Sequence, residues 1–241
     1  MTGEEGLVAD SRLEQVRSGL DAVRARIDDA RRSAGRTDDV ALVVVTKTFP
    51  ASDVDILARL GVEDVAENRD QEAKAKRADC VEVVPLRWHM IGQLQRNKAA
   101  SVARWADIVE SVDRAELVAP LDRAAQAAGR VLEVLLQVSL DPDPVPGRGG
   151  ATPAEVSALA DLVAAHPGLS LRGVMGVAPH PGDPAEAFAR LQAVSDRLRA
   201  DHPGADRISA GMSGDLEQAV AHGATQVRIG GAVLGQRSYV Q

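Results

Sequence analysis

The chain has 241 residues and a formal net charge of −7, from 28 basic and 35 acidic side chains. This balance excludes a general polyanion binder, because no surplus of Lys and Arg can neutralise a phosphate backbone, and the 2% of aromatic residues argues against base-stacking platforms for single-stranded nucleic acid. Hydrophobic residues make up 45%, so we expect an ordered core built from Val, Leu, Ala and Ile.

The first predicted element is a helix over residues 11–34. Ser11 and Glu14 form a possible capping box at its start. The apolar residues that follow recur at gaps of three and four and therefore share one face: Leu13, Val16, Leu20, Val23 and Ile27. Next comes Val40–Val45, which is apolar on both faces, as is typical of a strand in a parallel sheet covered on each side.

Seven further apolar runs follow, and they alternate with helical segments. The predicted strands are Asp64–Asn68, Arg87–Gly92, Asp107–Val112, Leu132–Leu140, Leu169–Val177, Arg207–Gly211 and Gln226–Leu234. Thr152 and Asp183 each precede a proline at the first position of a predicted helix, which is a common helix start. Glycines mark several predicted helix ends: Gly61, Gly129 and Gly223.

Eight strands in regular alternation with helices indicate the α/β class, with parallel strands and crossover helices. We predict a single domain over residues 1–241, a (β/α)₈ TIM barrel over about 40–236 with an extra N-terminal helix over about 11–34. An open doubly wound sheet is the alternative architecture.

Three features favour a cytoplasmic protein. Cys80 is the single cysteine, so neither a disulfide framework nor a thiolate metal cluster is expected. Residues 1–10 carry acids rather than a basic segment followed by an apolar run, so we expect no signal peptide. No apolar stretch is long enough to span a bilayer, and the histidines lack metal-ligand spacing, so neither a membrane partner nor a metal is predicted.

The residues at the predicted carboxyl ends of the strands, where a TIM barrel carries its functional site, form a set that is more polar than the strand interiors. They are Lys47, Asn68, His89, Gly92, Met175, Ser209–Ser213, Arg228, Gly230 and Gly231. Lys47 stands out, because the chain has only four lysines among its 28 basic residues. Partial burial at a strand end disfavours an ammonium, and a neutral amine attacks carbonyls to form a Schiff base. A lysine that only reaches towards solvent from a strand end is the competing interpretation.

Two turns rich in glycine and hydroxyl groups follow the seventh and eighth strands. They are Ser209–Asp215 and Val227–Gly231. Loops at these two places commonly bind phosphate in TIM barrels, because free backbone N–H groups meet the anion there. Ordinary turn chemistry, with Ser213 as a helix cap, is the alternative. An amine nucleophile beside a phosphate cradle predicts a phosphorylated aldehyde or ketone as ligand, such as pyridoxal phosphate or a sugar phosphate.

The chain resembles the YggS/PROSC-type pyridoxal phosphate (PLP) homeostasis proteins, whose fold is similar to the barrel domain of alanine racemase. The resemblance runs from about Val40 to Tyr239. Its motifs are Val-Val-Thr-Lys-Thr ending at Thr48, Glu67-Asn68 with Gln71-Glu72, the run Trp88–Lys98, and Ser209–Asp215 with Val227–Gly235.

The resemblance implies a cofactor, PLP, held as an internal aldimine on Lys47. It implies that Ser213, Gly230 and Gly231 cradle the phosphate, that Arg228 faces the pyridine nitrogen, and that Asn68 lies beside the ring. Met175 and Ser209, at the ends of their strands, complete the predicted cofactor-binding set.

A non-catalytic PLP carrier in vitamin B6 and amino-acid homeostasis is the leading functional prediction. A permanently cationic Arg228 disfavours protonation of the ring and weakens stabilisation of a carbanion. Racemases of this fold take a second base, a tyrosine, from a second domain, whereas Tyr239 is the only tyrosine here and we expect it to pack a terminus. The alternatives are a PLP-dependent racemase-like enzyme and a Schiff-base aldolase without a cofactor.

Three predictions remain. His89 is either a base near the cofactor or, as we favour, a core residue with satisfied hydrogen bonds. Arg148-Gly149-Gly150 stands where the family usually has Lys-x-Gly, and arginine cannot form an aldimine. As partners we expect PLP, apo PLP-dependent enzymes that receive it, and no nucleic acid, in a chain that is a monomer or a weak dimer.

Overall fold

A computed structural model of the chain describes residues 3–82, 85–142, 145 and 147–235, with side chains from residue 11 onward. The strands are β1 Ala41–Val45, β2 Asp64–Glu67, β3 Arg87–Met90, β4 Ile108–Val112, β5 Leu132–Val138, β6 Leu169–Gly176, β7 Arg207–Ser209 and β8 Gln226–Ile229. The helices are α1 Gly3–Ser33, α2 Ala51–Arg59, α3 Asp70–Asp79, α4 Ala99–Trp105, α5 Val118–Ala127, α6 Val156–Ala164, α7 Pro184–Asp201, α8 Leu216–Ala221 and α9 Gly231–Leu234. Within these described ranges, none of the helices combines the length and apolar character needed to cross a bilayer.

The strands form a closed barrel in the order β1 to β8. Every neighbouring pair is parallel, and β1 pairs with β8 to close the ring. This confirms the predicted (β/α)₈ TIM barrel and excludes the open doubly wound sheet. Parallel neighbours need crossover connections, and the helices provide them on the outside of the barrel.

The core is built from aliphatic side chains, as the composition predicts. Val and Leu from the strands and from the inner faces of the helices are almost fully buried, and Phe188, Trp88 and Trp105 are the large aromatic members. Helix α1 packs across α8 and α9 through its predicted apolar stripe, in which Val16 and Leu20 are buried. Gly19 permits this contact, because a Cβ there would lie 2.4 Å from the carbonyl oxygen of Val233.

Several predicted boundaries are confirmed and others are wrong. Asp183 caps α7 by accepting a hydrogen bond from the Ala185 amide at 2.9 Å, and the glycines at the predicted helix ends adopt positive φ. Helix α1 begins at Gly3, so Ser11 lies inside the helix and does not start it. Helix α6 begins at Val156, because the Thr152 hydroxyl bonds to Glu155 within a turn before the helix.

The predicted eighth strand, Gln226–Leu234, is also wrong in its second half. Strand β8 ends at Ile229, and Gly230, with φ −114° and ψ −84°, redirects the chain into α9. Val233 and Leu234 are buried, but on the face of a short helix that meets α1. A short apolar run cannot by itself distinguish a strand from a buried helical turn.

At Gly173, in the middle of β6, the neighbouring strand β7 leaves no space for a side chain. Its φ is +144°, and a Cβ there would lie 1.9 Å from the carbonyl oxygen of Arg207 in β7. We expect Gly173→Ala to lower the free energy of unfolding by about 2–4 kcal/mol, through overpacking and backbone strain. Gly204→Ala is the control, since a Cβ there meets nothing within 4 Å. Urea unfolding measures both, and equal stability of the two variants would contradict the expectation.

Candidate functional site

A cavity of about 530 Å³ opens at the carboxyl ends of β1 and β8. Its lining includes Lys47, Ser213, Arg228 and the Gly230-Gly231 pair. Such a volume falls within the range of roughly 300–1,000 Å³ that is usual for small-molecule sites. The structure therefore brings together an amine, a guanidinium and a hydroxyl- and glycine-rich wall.

Lys47 lies two residues beyond β1, and buried groups hold the backbone before it. The Thr46 hydroxyl donates to Glu67 Oε1 at 2.7 Å, and Lys76 Nζ donates to the Thr46 carbonyl oxygen at 2.7 Å. Lys76 Nζ also donates to Glu67 Oε1 at 2.5 Å, in an ion pair that is almost fully buried. Burial raises the pKa of Glu67, although its bonds to Lys76 and Thr46 oppose this, and its Oε2 has no hydrogen-bond partner among the described residues.

The residue after Lys47 is held in an uncommon conformation. Thr48 has a φ of +70°, in the left-handed region that non-glycine residues seldom adopt. Its amide donates to Glu72 Oε1 on α3. The turn at Lys47 is thus fixed from both sides, by α3 after it and by the buried pair before it, while the Lys47 side chain stays half-buried at the cavity.

The two predicted turns supply further residues to the cavity lining. The Met212 amide donates to Asp215 Oδ1 at 2.6 Å, which closes the first turn, and Ser213 and Gly214 are exposed at its tip. The amides of Ser213, Gly214 and Gly231 donate to no acceptor within the described part of the chain. Unpaired N–H groups of this kind are suited to an anion such as phosphate.

Gly230 brings the second turn close to β1. A Cβ at this position would lie 3.0 Å from the carbonyl oxygen of Val45. Few real Cβ atoms lie this close to a neighbouring atom, so glycine lets the turn approach β1 closely. The turn therefore lies beside the strand that leads to Lys47.

Arg228 is buried where β8 meets the cavity, with its side chain 4% exposed. Its Nη1 donates to Ser209 Oγ at 2.5 Å and its Nη2 donates to the Gly176 carbonyl oxygen at 2.9 Å. Burial lowers the pKa of Arg228, with Glu110 and Asp215 opposing the shift. An arginine nevertheless stays protonated in proteins, so a fixed positive charge borders the cavity.

A line of hydrogen bonds continues from Arg228 through the inside of the barrel. The Ser209 hydroxyl donates to Glu110 Oε2 at 2.5 Å, and Glu110 Oε1 lies 2.5 Å from His89 Nδ1. His89 Nε2 lies 2.8 Å from Asp64 Oδ1, and Arg87 donates to Asp64 Oδ2 at 2.9 Å. We call these residues the interior polar chain: Arg87, Asp64, His89, Glu110, Ser209 and Arg228.

Charges along the interior polar chain stabilise one another. Burial by itself would lower the pKa of His89, but its hydrogen bonds to Asp64 and Glu110 outweigh burial and raise it. Burial likewise favours the neutral forms of Asp64 and Glu110, yet the bonds and charge of His89 hold both pKa values below their usual range. His89 is therefore a core residue with partners at both nitrogens, as the favoured sequence interpretation expects.

The predicted site residues separate into three groups. The structure gathers Lys47, Ser213, Arg228, Gly230 and Gly231 around one cavity. Asn68 is half-buried in the wall of a neighbouring cavity of about 600 Å³, between the loops after β2 and β3. Met175 and Ser209 are buried in β6 and β7, where they pair in register. Direct contacts of Asn68, Met175 and Ser209 with a cofactor stay predictions.

Sequence reasoning missed the charged groups that support the site. Asp64 and Glu110 lie within predicted strands with no role assigned, Glu67 enters only as part of a family motif, and Lys76 is one of the four lysines counted but not singled out. The available signal was a carboxylate inside an otherwise apolar predicted strand, as Glu110 is within Asp107–Val112. Fully buried carboxylates are rare unless they are paired.

The structure gives Arg148 a defined set of partners at the barrel mouth. Arg148 pairs with Asp141, Nε to Oδ2 at 3.1 Å, and its Nη2 lies 3.5 Å from the carbonyl oxygens of Val177 and Ala178. It ties the loop after β5 to the end of β6. Tyr239, which we predicted to pack a terminus, lies outside the described residues.

Comparison with known proteins identifies the family. Residues 19–238 match the model of the alanine racemase N-terminal domain. The pyridoxal phosphate homeostasis protein of Mycobacterium tuberculosis (strain ATCC 25618 / H37Rv) is 46% identical over 245 residues, with 94% of each chain covered. The chain belongs to the pyridoxal phosphate homeostasis family.

Two solved structures at more than 30% identity have the same fold. A crystal structure of an unknown protein from Bifidobacterium adolescentis has a TM-score of 0.85 at 31% identity and covers 93% of this chain and 96% of its own. PipY of Synechococcus elongatus PCC7942, in a structure with PLP bound, has a TM-score of 0.79 at 32% identity and covers 91% of this chain and all of its own. The resemblance inferred from the sequence motifs is confirmed.

The pKa directions predict how stability depends on pH. A raised folded pKa for His89 gives stability that is complete below the unfolded value of about 6.5 and is lost as pH rises through the folded pKa. The lowered values of Asp64 and Glu110 give stability present above about pH 4 and lost as pH falls through their folded pKa values. The interior polar chain should therefore contribute most between about pH 4.5 and 6.5.

We expect His89→Gln to lower the free energy of unfolding by about 2–4 kcal/mol at pH 6, because it leaves two buried carboxylates without their shared cation. Above pH 6.5 the loss should shrink, because the unfolded wild-type chain no longer holds a proton on His89 and the folded chain must take one up, while Asp64 keeps Arg87 and Glu110 keeps Arg228 as cationic neighbours in the variant. Urea unfolding at a series of pH values measures this, with His202→Gln as the control for a surface histidine. A stability difference that does not vary with pH would contradict the assignment.

Proposed function

We propose that this chain is a PLP carrier, with Lys47 as the point of covalent attachment. The observation that carries the proposal is that one cavity joins Lys47, Arg228 and the two glycine-rich turns. The relatives named above add weight, because one is named for pyridoxal phosphate homeostasis and another has PLP bound in its structure.

Each group of residues suits one part of the cofactor. A lysine amine can bond to the aldehyde, which is the reactive group that PLP supplies. The amides of Ser213 and Gly231, which donate to no acceptor among the described residues, the Ser213 hydroxyl and the exposed glycine backbone of the second turn suit the phosphate. Arg228 suits a neutral pyridine nitrogen, to which a guanidinium can donate a hydrogen bond.

The fixed charge of Arg228 favours a carrier over a racemase-like enzyme. A carboxylate beside the ring nitrogen would stabilise the protonated ring and strengthen its ability to accept electrons. A guanidinium, in contrast, opposes protonation of the ring nitrogen. The carboxylate paired with this guanidinium is Glu110, whose Oε2 lies 3.8 Å from Arg228 Nη1. We therefore assign holding and release of PLP, in vitamin B6 and amino-acid homeostasis, as the function.

Five further assignments accompany the proposal. We propose that apo PLP-dependent enzymes receive the cofactor, and that the chain acts as a monomer or weak dimer. A cytoplasmic location and a single domain over residues 1–241 stay predictions from the sequence. Arg148, tied to Asp141, holds the mouth loop in place and does not take part in cofactor transfer.

Lys47→Ala tests the attachment point. We expect the wild-type protein to turn yellow with added PLP and to retain the cofactor after borohydride reduction, with the label on the peptide that contains Lys47. The variant should show no visible band and no fixed cofactor, because no other amine lines the cavity among the described residues. Lys74→Ala, at an exposed position on α3, is the matched control and should behave as wild type. Equal labelling of the Lys47→Ala chain would refute the assignment.

Exchange of the α-hydrogen of amino acids distinguishes a carrier from an enzyme. With PLP loaded, we expect deuterium incorporation into alanine to stay within about tenfold of the rate with free PLP, because Arg228 disfavours a protonated ring. Mass spectrometry of the recovered alanine measures the exchange. Rapid exchange that disappears in Lys47→Ala would favour the racemase-like alternative.

A further inference from the structure

His89 has hydrogen-bond partners that fix its protonation state. Each ring nitrogen lies within 2.8 Å of a carboxylate oxygen, Nδ1 facing Glu110 and Nε2 facing Asp64. A neutral imidazole has only one N–H, so its other nitrogen would direct a lone pair at a carboxylate. The imidazolium satisfies both contacts, and the side chain is 1% exposed, so water cannot substitute for either partner.

Protonated His89 keeps Glu110 ionised. Glu110 Oε1 faces His89 and accepts from Gln226 Nε2 at 2.9 Å, while Oε2 accepts from the Ser209 hydroxyl. Donors thus surround a carboxylate that is fully buried. Without the imidazolium, burial would favour the protonated acid at this position.

The ionisation of Glu110 in turn sets the direction of the Ser209 hydroxyl. The Ser209 hydroxyl has one hydrogen, which it donates to an ionised Glu110. The lone pairs of Ser209 Oγ are then free to accept from Arg228 Nη1, which lies 2.5 Å away. A protonated Glu110 would donate to Ser209, and the serine proton would then compete with the Arg228 N–H. The position of Arg228 therefore depends on a proton held by His89, with Glu110 and Ser209 between them.

We propose that His89 is a positioning residue for cofactor binding: clamped between Asp64 and Glu110, it orients Ser209 and holds Arg228 at the cavity. The inference rests on the proposed function, in which Arg228 meets the cofactor ring. His89 itself is buried inside the barrel and is absent from the cavity lining, so it acts only through Arg228.

Other charged groups act on the two ends of the interior polar chain. Arg87 also faces Glu63 and Glu133 at the amino-terminal end of the barrel. At the cavity end, Asp215 acts on Arg228 through its charge. These groups are unchanged by substitution of His89, so they contribute equally to the wild type and to the variants below.

The test is PLP affinity, measured by titrating the visible band of the protein at pH 7.5 and 5.5. We expect His89→Gln to bind PLP about tenfold more weakly, the size expected when one charge-assisted hydrogen bond loses its geometry. The ratio of variant to wild-type dissociation constants should widen at pH 5.5, because Glu110 then takes up a proton in the variant. His202→Gln, a surface histidine paired with Asp161, is the control and should leave the affinity unchanged.

A double-mutant cycle separates positioning from general destabilisation. In the Arg228→Gln background, His89→Gln should add little further loss of affinity, because the group through which it acts is gone. A full additional loss there would overturn the inference. If His89→Gln does not fold, Ser209→Ala replaces it, with the same tenfold loss expected. If the wild type binds PLP and His89→Gln or Ser209→Ala binds it with the same affinity, this inference alone is overturned. If the wild type takes up no PLP, the proposed function is overturned as well.

Discussion

The pairing of β1 with β8 is the constraint on which the site depends. In that register Val43 faces Arg228 and Val44 faces Ile229. Lys47 and the Gly230 turn, which are distant in sequence, therefore leave the barrel side by side. A shift of one residue in this register would turn Arg228 away from the barrel interior, because neighbouring side chains in a strand point to opposite faces. The hydrogen bonds that close the barrel therefore also set the geometry of the site.

Much of the fold could be read from local patterns, since parallel strands buried on both faces appear as continuous apolar runs. The exceptions are informative. Gln226–Leu234 reads as one apolar run, yet Gly230 divides it into strand and helix, and what buries Val233 and Leu234 is contact with α1. That contact joins two helices that are far apart in the sequence, so no local pattern contains it.

The sequence predicted some residues of the candidate site and not others. The scarcity of lysine drew attention to Lys47, but the same argument applies to Lys76. Only the structure distinguishes them: Lys76 is buried in an ion pair with Glu67 beneath the turn, whereas Lys47 faces the cavity. Composition therefore indicated the region, and long-range contacts decided which amine is available. Glu110 was missed because its partners come from three other strands.

The interior polar chain replaces part of the layered aliphatic packing that usually fills a TIM barrel. Its charges alternate in sign from Arg87 to Arg228, and each carboxylate accepts bonds on both oxygens. Buried ion pairs of this kind add little net stability compared with well-packed apolar side chains, because desolvation offsets most of their attraction. What apolar packing cannot do is hold a guanidinium in one orientation beside a cavity. The chain of charges is therefore better explained by the position it gives Arg228 than by its contribution to folding.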